Sequence, residues 1–452
     1  MYENLSPQLT FTFNYGVMVA VNAISDAYGI IDGPGCSTYR SYMVHGRHDW
    51  NSTMLSCTGY HRLQYAGVSA HSIAGDTEGM MREVVHKTGA LEHSGVVIIT
   101  ALPMCTITGP DYKRIAAEIE TPAFEIAERS IDGDWFEGFA TTLYALADGM
   151  ELKGGKKKKA NVALIGHFMD RCEGDQIGNL NEYRRMLSAL GLNVVSIWPD
   201  GGSYKDLQEV KHAGTIISLP YARKAAKRLA QRLKADLIET LPPFGLEATE
   251  EWIRTVAAAT GKKKEAEAFI DKELERVAPR LEWVIPYAFL NKKMVYSGDP
   301  HLLTGIRGIC KDLGMRLSGA YLTGIRPSDI PEGPEAHFQP RITQVRERWE
   351  RHLADKEADI LIGNTDVLSI TKPTVPALEF VFPSIWTHSL AEEPFLGFTG
   401  FLFFAGRMAK AITAKKQKEA WSAGALEKDD NPVFKNEFDH KTYAEDALKE
   451  HL

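Results

Sequence analysis

Short apolar runs alternate with longer amphipathic segments along most of the chain. The runs are rich in Val, Ile and Leu, and most of them end in Gly or Pro. Runs of this length and composition are typical of strands buried on both faces of a parallel sheet. The predicted strands are YGIIDGP, GVVIITALP, NVALIGHF, LNVVSIWP, GTIISLP, ADLIETLP, KMVYSGDP, ADILIGN and ALEFVFP.

The segments between these runs have helical periodicity. NEYRRMLSALG and EATEEWIRTVAAATG each close with a glycine, the residue that most often ends a helix in the left-handed conformation. Strands that alternate with helices predict an α/β fold with doubly wound, Rossmann-like parallel sheets. Sheets of this kind bind ligands outside the carboxyl ends of their strands, so the turns that follow the strands are the first places to look for function.

A chain of 452 residues is too long for one ordinary domain. We predict three α/β domains, at residues 1–152, 158–288 and 289–384, with the C-terminal helices of 385–452 packing back on the first domain ahead of a charged tail. The run LKGGKKKKANVALIG marks the first boundary, either as a solvated linker or as a docking patch for an acidic partner. A new strand-turn-helix pattern near residue 290 marks the second boundary.

Composition excludes several classes of function. The net charge of −7 argues against a nucleic-acid or anionic membrane surface. No apolar run is long enough to span a membrane, and the N-terminus has no signal-peptide pattern, so a cytoplasmic location is expected. Phosphate-loop and dinucleotide-binding motifs are missing, so the chain is not expected to bind ATP or NAD itself.

Three of the five cysteines are the candidate metal ligands. Cys36 follows the strand and turn IIDGPG, Cys105 follows VVIITALPM, and Cys57 lies between them in NSTMLSCTGYHR. Their wide spacing is unlike a zinc ribbon, in which one knuckle supplies two ligands. It suits an iron–sulfur cluster bound by separate loops that converge on a sheet edge. Isolated buried thiols would give the same pattern, so spacing alone leaves both possibilities open.

The other candidate side chains have ordinary structural interpretations. Cys310 lies on an apolar helix face, as a core thiol does, and Cys172 lies in a loop without a partner cysteine. His388 has no adjacent nucleophile, which favours a structural role. Four histidines around the cysteine region could deliver protons or could be ordinary loop residues: His45, His48, His61 and His71. Ser37 and Ser56, each beside a cysteine, could donate hydrogen bonds to cluster sulfur.

The cysteine region resembles the nitrogenase component 1 superfamily, which includes nitrogenase, its cofactor-assembly scaffold and the tetrapyrrole reductases. In that family a turn before a Gly-Cys pair carries the first cluster cysteine, and here it is DGPGC. The second cysteine precedes a segment matched by HSIAGDTEGM, and the third begins a turn matched by CTITGPDY. The resemblance therefore implies that Cys36, Cys57 and Cys105 ligate a cluster.

Downstream motifs resemble the β-type subunit of the family more than the α-type. SIDGDWFEGF, which begins at Ser130, looks like the start of the corresponding β-type helix. Ser130 is therefore a third candidate, with Ser37 and Ser56, to donate a hydrogen bond to cluster sulfur. YSGDPHLLTGIRGICKDLG and FPSIWTHSLAEEPFLGFTGFLFFAGRMAKAI match later segments. The chain departs from the nitrogenases in its shorter DGPGC turn, in Pro110, and in lacking the N-terminal extension of the molybdenum enzyme's β-subunit.

The resemblance implies an electron-relay subunit of an ATP-dependent reductase. An iron–sulfur cluster, either 8Fe–7S and P-cluster-like or 4Fe–4S, would be shared with an α-type subunit in a heterotetramer of two α-type and two β-type chains. A nucleotide-binding iron–sulfur reductase would dock transiently, and a complex iron–sulfur cofactor would lie in the α-type partner. A β-type chain that carries three ligands and is not a close match to the nitrogenases resembles the methylthio-alkane reductases, which cleave C–S bonds. A tetrapyrrole double-bond reductase subunit and a cofactor-assembly scaffold are the alternatives.

Overall fold

The computed structural model describes residues 6–35, 41, 46–55, 61–69, 75–107 and 109–422, with side chains as far as residue 415. The predicted site residues Cys36, Ser37, Ser56 and Cys57 lie outside the described residues, as do His45 and His71. Cys105, Ser130 and the flanking segments of all three cysteine motifs are described.

The first sheet has the strand order β2-β1-β3-β4, and every pair in it is parallel. Strands β1 and β3 are buried along their whole length, as their apolar runs predict. The elements of this unit are α1 (Phe13–Asn22), β1 (Ala27–Asp32), β2 (Leu63–Tyr65), α2 (Thr77–Gly89), β3 (Val96–Ala101), α3 (Pro103–Thr106), α4 (Tyr112–Ala116), β4 (Ala123–Glu125) and α5 (Trp135–Gly149).

Helices α1 and α5 cover one face of the first sheet and pack tightly on each other. A Cβ atom on Gly16 would lie 1.7 Å from the backbone oxygen of Trp135, and one on Gly138 would lie 2.0 Å from that of Phe13. Only glycine permits this approach of the two backbones. Asp134 caps α5 by accepting hydrogen bonds from the amides of Phe136 and Glu137.

The second sheet has the order β6-β5-β7-β8 and is also parallel. The elements of this second unit are β5 (Lys158–Ile165), α6 (Gly174–Ala189), β6 (Asn193–Trp198), α7 (Tyr204–Leu207), β7 (Ala213–Ser218), α8 (Arg223–Leu233), β8 (Asp236–Glu239), α9 (Leu246–Thr260) and α10 (Lys263–Leu281). Gly191 and Gly261, which the sequence predicts as the ends of α6 and α9, both have positive φ.

The third sheet has the order β11-β10-β9-β12-β13, again parallel throughout. The predicted α/β class with several Rossmann-like parallel sheets is therefore confirmed. The elements are β9 (Lys293–Gly298), α11 (Leu303–Asp312), β10 (Arg316–Leu322), β11 (Ala336–Phe338), α12 (Ile342–Ala354), β12 (Ile360–Gly363), α13 (Thr365–Thr371), β13 (Ala377–Glu379) and α14 (Gly397–Ser422).

The prediction that the C-terminal helices pack on the first domain is wrong for α14. This helix packs on α6, α9 and α10 and on strand β13. Its phenylalanines meet apolar surface there, and the ring of Phe404 lies 5.2 Å from that of Phe244 and 4.9 Å from that of Phe380. The irregular segment before α14 does return to the first unit, because the amide of Ser384 donates a 2.8 Å hydrogen bond to Nδ1 of His48.

Candidate metal centre

The turns that lead to Cys36 and Cys105 leave neighbouring strands at the same sheet edge. Asp32, the last residue of β1, pairs in register with Ala101, the last residue of β3. The amide of Leu102 donates a 2.8 Å hydrogen bond to the backbone oxygen of Asp32. A Cβ atom on Gly33 would lie 2.7 Å from Cδ1 of Leu102, so the start of the DGPGC turn is in contact with the turn that carries Cys105.

The flanks of Cys57 lie at the opposite, amino end of this sheet. The amide of Arg62 donates a 2.8 Å hydrogen bond to the backbone oxygen of Met54, which closes the loop containing Cys57. The Arg62 guanidinium donates to the backbone oxygens of Val21, Ile24 and Ala27 and anchors the loop beside β1. The described residues therefore bring the flanks of Cys36 and Cys105 together, but they do not bring the flanks of Cys57 to the same end of the sheet.

The Cys105 thiol lies in a small buried cluster on the other face of the sheet from α1. Only 1% of Cys105 is exposed, and its neighbours in the cluster include Ile99, Tyr112 and Ile115. Burial raises the pKa of the thiol to about 11, and the adjacent Asp32 carboxylate adds to this rise. A thiol in such a place is inert unless a bound cation takes the place of its proton.

Asp32 is the site residue that sequence reasoning missed. Its carboxylate accepts a 2.6 Å hydrogen bond from the hydroxyl of Tyr112 and lies against Cys105. Burial raises the pKa of Asp32, and the hydrogen bonds from Tyr112 and Cys105 oppose the rise. The sequence signal that could have identified Asp32 is its position at the end of an otherwise apolar strand, where a buried carboxylate is unusual.

This donor pair would suit a metal centre if a cation took the place of the thiol proton. A thiolate and a carboxylate side by side are both anions, and a cation between them neutralises both charges. Within the described part of the chain, no three His, Cys, Asp or Glu side chains are grouped closely enough to hold a metal ion. A complete site therefore needs ligands from the cysteines outside the described residues or from a partner.

Ser130 lies in the loop that leaves the carboxyl end of β4, the neighbour of β3. Its hydroxyl is buried and has no hydrogen-bond partner within the described residues, while its amide donates to the Glu128 carboxylate. Apolar side chains on the loops of this edge are exposed, since 87% of Ile107 and 91% of Ile131 face solvent. These isoleucines are the apolar side chains that a partner bound at this edge would cover.

The remaining candidates have structural roles. Cys310 is buried on α11, with its sulfur 3.7 Å from that of Met294, as predicted for a core thiol. Cys172 is held near Asn22, whose side-chain nitrogen lies 3.7 Å from its sulfur. His48 accepts from the amide of Ser384 and donates from Nε2 to the backbone oxygen of Asp170, 3.0 Å away. His388 bonds the buried Glu173 carboxylate at 2.6 Å and stacks on the ring of Trp50.

Aromatic rings fill the centre of the crevice between the carboxyl edges of the three sheets, while a pocket of about 390 Å³ lies at its rim beside Phe136, Tyr221 and His301. Phe168 stacks on Tyr221 with ring centroids 4.9 Å apart, and Trp135 packs edge-on against Phe168 at the same distance. The residual cavity has a volume of about 30 Å³, which is room for one or two water molecules. Asp170 and Asp299 line it, and burial raises the pKa of each to about 7.

None of the helices in the described ranges is both long and apolar enough to cross a membrane.

Comparison with known proteins places the chain in a family. Residues 14–413 match the family model of nitrogenase component 1 type oxidoreductases. The chain is 21% identical over 402 residues to a light-independent protochlorophyllide reductase chain of Heliobacterium modesticaldum, with 85% of this chain and 74% of that protein covered. It is also 21% identical to the nitrogenase molybdenum-iron protein beta chain of Methanococcus maripaludis, with 88% of this chain and 92% of that protein covered.

A solved structure of nitrogenase Cp1 shares the fold. It superposes with a TM-score of 0.77 at 19% identity, over 91% of this chain and 94% of that one. The parallel sheets, their order along the chain and the match of the family model over most of its length lead to one conclusion: the chain belongs to the nitrogenase component 1 type oxidoreductase family.

Proposed function

We propose that this chain is the electron-relay, β-type subunit of a nitrogenase-like, ATP-dependent reductase. The observation that carries the proposal is the buried Cys105 thiol, which lies beside the Asp32 carboxylate where the turn toward Cys36 begins. Cys36 and Cys105 would hold one side of an iron–sulfur cluster, either 8Fe–7S or 4Fe–4S, with Cys57 as the third ligand that the family resemblance implies, and an α-type partner would hold the other. When bound, such a cluster accepts and passes on single electrons.

The residues of this chain exclude water from that centre and orient its ligands. Cys105 packs among isoleucines, and the hydrogen bonds from Leu102 to Asp32 and from Cys105 to Leu102, both 2.8 Å, fix the turn that carries it. A ligand fixed by backbone hydrogen bonds moves little when the charge on its metal changes. Ser130, with its unpartnered buried hydroxyl, is the described candidate to donate a hydrogen bond to cluster sulfur.

The centre of the crevice supports placing the catalytic cofactor in the partner. In open α/β sheets the crevice outside the carboxyl ends of the strands is the usual binding place. Here Trp135, Phe168 and Tyr221 leave only about 30 Å³ at its centre, well below the roughly 300 Å³ that a ligand pocket generally needs. The larger pocket at its rim, of about 390 Å³, has no cysteine among its described lining residues. A complex iron–sulfur cofactor would then be bound by the α-type chain.

Two exposed isoleucines at the carboxyl edge of the first sheet support assembly with partners. Ile107 and Ile131 would be covered by an α-type subunit, in a heterotetramer of two α-type and two β-type chains. A nucleotide-binding iron–sulfur reductase would dock on this assembly transiently to deliver electrons.

The most specific form of the proposal is reductive C–S cleavage of small methylthio-alkanes. It rests on three cysteine ligands in a β-type chain that departs from the nitrogenases in its DGPGC turn. A protochlorophyllide-type double-bond reductase is the second candidate, favoured by the 21% identity to the protochlorophyllide reductase chain over 85% of this one. A scaffold for cofactor assembly is the third candidate, and it would show no turnover.

The proposal is tested with the complex purified anaerobically with its α-type partner. We expect iron at the interface, and turnover of a methylthio-alkane only with ATP, reductase and dithionite present. Salt should lower turnover while size exclusion still shows the heterotetramer, because a transient contact between charged surfaces is screened at 1 M ionic strength, where the Debye length is about 3 Å. Substrate reduction by this chain alone would refute the relay. Turnover of protochlorophyllide instead would select the second candidate.

A further inference from the structure

A cavity of about 190 Å³ lies between the second and third units, outside the carboxyl ends of β8 and β9. Its lining includes Thr240 and Leu241, which follow β8, and His301, which follows β9. Helix α9 contributes Trp252 and helix α11 contributes Thr304. Parallel sheets of this kind bind their ligands at the carboxyl edge, so the cavity is in a place suited to a ligand.

Three residues that line this cavity each have a buried polar atom without a hydrogen-bond partner among the described residues. These atoms are Nε1 of Trp252, Oγ1 of Thr304 and Nδ1 of His301, and only 2% of Trp252 is exposed. Burial lowers the pKa of His301 to about 4, so its ring is neutral near pH 7. Unpartnered buried polar atoms are costly, and three such residues at one cavity indicate that a polar molecule binds there.

The exposed side of the cavity, its mouth, carries a net negative charge. Glu239, Glu251 and Asp329 are exposed lining residues, and Arg223 is the one Lys or Arg among the described lining residues. Arg223 lies 3.3 Å from the Asp329 carboxylate, and Glu239 is 4.0 Å from Lys227. Glu251 has no ion pair in the part of the chain that the structure describes. Such a mouth attracts a cation and repels a free anion.

The size of the cavity and its apolar lining restrict the ligand further. The volume of about 190 Å³ is below the roughly 300 Å³ of a pocket for a drug-sized ligand, so the ligand must be small. A cavity of about 150 Å³ holds benzene, so this one has room for about six to eight non-hydrogen atoms. Leu241, Pro242 and Phe244 supply apolar surface for a short hydrocarbon chain.

We propose that this cavity binds a small zwitterion, with its carboxylate toward Trp252 and Thr304 and its ammonium group toward Glu251 and Glu239 at the mouth. The indole N–H and the threonine hydroxyl would donate to the carboxylate, and the two acids would neutralise the ammonium group. The inference goes beyond the proposed function, because the site belongs to the second and third units and needs no iron. Binding makes or breaks no covalent bond.

The test measures ligand binding to the purified chain at pH 7 by saturation-transfer NMR. The probe is 5-aminopentanoate, a zwitterion of the inferred size with its two charges at opposite ends. Pentanoate lacks the ammonium group, and pentylamine lacks the carboxylate. We expect a Kd of about 1 mM for 5-aminopentanoate and severalfold weaker binding of the other two probes.

Two variants separate the two ends of the site. Trp252→Phe keeps an aromatic ring and removes the N–H, so 5-aminopentanoate and pentanoate should bind about tenfold more weakly, with pentylamine unchanged. Glu251→Gln should weaken 5-aminopentanoate and pentylamine severalfold but not pentanoate. A merely structural role of either residue would weaken all three probes alike.

Trp349→Phe and Glu247→Gln are the matched controls. Trp349 also has a buried, unpartnered indole nitrogen but belongs to a separate apolar cluster of the third unit, and Glu247 is an exposed acid of α9. Neither is a lining residue of this cavity. Both variants should bind 5-aminopentanoate as wild type does, and a loss as large as that in Glu251→Gln would overturn the inference.

If Trp252→Phe does not fold, Thr304→Val removes the other donor and gives the same comparison. Equal affinity of wild type for 5-aminopentanoate and pentanoate would overturn the inference. Absence of saturation transfer at about 10 mM 5-aminopentanoate would also overturn it and show that the cavity holds only water. Iron in the complex with the α-type partner is measured separately, so failure here leaves the proposed function standing.

Discussion

The hydroxyl of Tyr221 donates a 2.6 Å hydrogen bond to the carboxylate of Asp299. Tyr221 follows β7 and Asp299 follows β9, so this bond joins the carboxyl edges of the second and third sheets. Both side chains are buried. The two sheets are thus connected by a polar contact within an aromatic crevice, where a lost hydrogen bond cannot be replaced by bulk water.

Replacing Tyr221 with Phe should lower the free energy of unfolding by about 1–3 kcal/mol, because Oδ2 of the Asp299 carboxyl loses its donor in a buried place and only the amide of His301 still donates to Oδ1. Thermal unfolding followed by circular dichroism measures the change. Tyr144→Phe, at a half-exposed position on α5, is the control and should leave the melting temperature unchanged. Equal melting temperatures for the two variants would show that the bond between the sheets contributes nothing.

The contribution of Asp299 to the stability of the fold should decrease as pH rises from about 4 to about 7. Burial raises the pKa of Asp299 from 3.8 to about 7, so the folded chain holds a proton there that the unfolded chain has released. The stabilisation is complete below pH 3.8 and is lost as pH rises through 7. Asp299→Asn keeps a neutral side chain at all pH values and should flatten this part of the curve in urea titrations. An unchanged slope would contradict the shift.

His48 should hold the segment after β13 on the first unit. Its ring joins the amide of Ser384 to the backbone oxygen of Asp170, so His48→Ala removes two buried hydrogen bonds, each worth about 1 kcal/mol. We expect faster amide hydrogen exchange at Ser384 and the residues around it, with the third sheet unchanged. His93→Ala, at an exposed position, is the control. Exchange at Ser384 equal to wild type would show that the segment is held by other contacts.

Cys105→Ala should remove iron from the anaerobic complex, and Cys310→Ala should not. Both thiols are buried, but Cys310 packs against Met294 in the third unit, away from the sheet edge that carries Cys105. The Cys310 variant controls for loss of a core thiol, because its cavity lowers stability without touching the site. Elemental analysis of iron per complex distinguishes the Cys105→Ala variant from the Cys310→Ala variant. Full iron content in Cys105→Ala would exclude this residue as a ligand.

The sequence predicted the long, apolar strands of the fold and missed four others. Strands β2, β4 and β11 have only three residues each and carry too little pattern to be recognised. Strand β10 was missed although it is longer, because RLSGAYL has a polar beginning and an interior glycine. The glycine ends of α6 and α9 were predictable because the left-handed conformation is a local property of the chain.

Only those site residues that lie within one local sequence motif could be predicted from the sequence. Cys105 follows its strand in a recognisable turn, and the register of β1 and β3 brings that turn beside the DGPGC turn. The contact of Asp32 with Tyr112 depends on two segments 80 residues apart, so no local pattern reveals it. The position of α14 also depends on long-range packing, because its phenylalanines suit any apolar surface equally well.

The contact between Gly33 and Leu102 would have a consequence for the speed of the electron transfer proposed above. Because the turns after β1 and β3 are in contact there, a displacement of one turn displaces the other. Under the proposed function, a centre held by both turns would change its geometry little between oxidation states. Its reorganisation energy would be small, and electrons would cross it with little thermal activation.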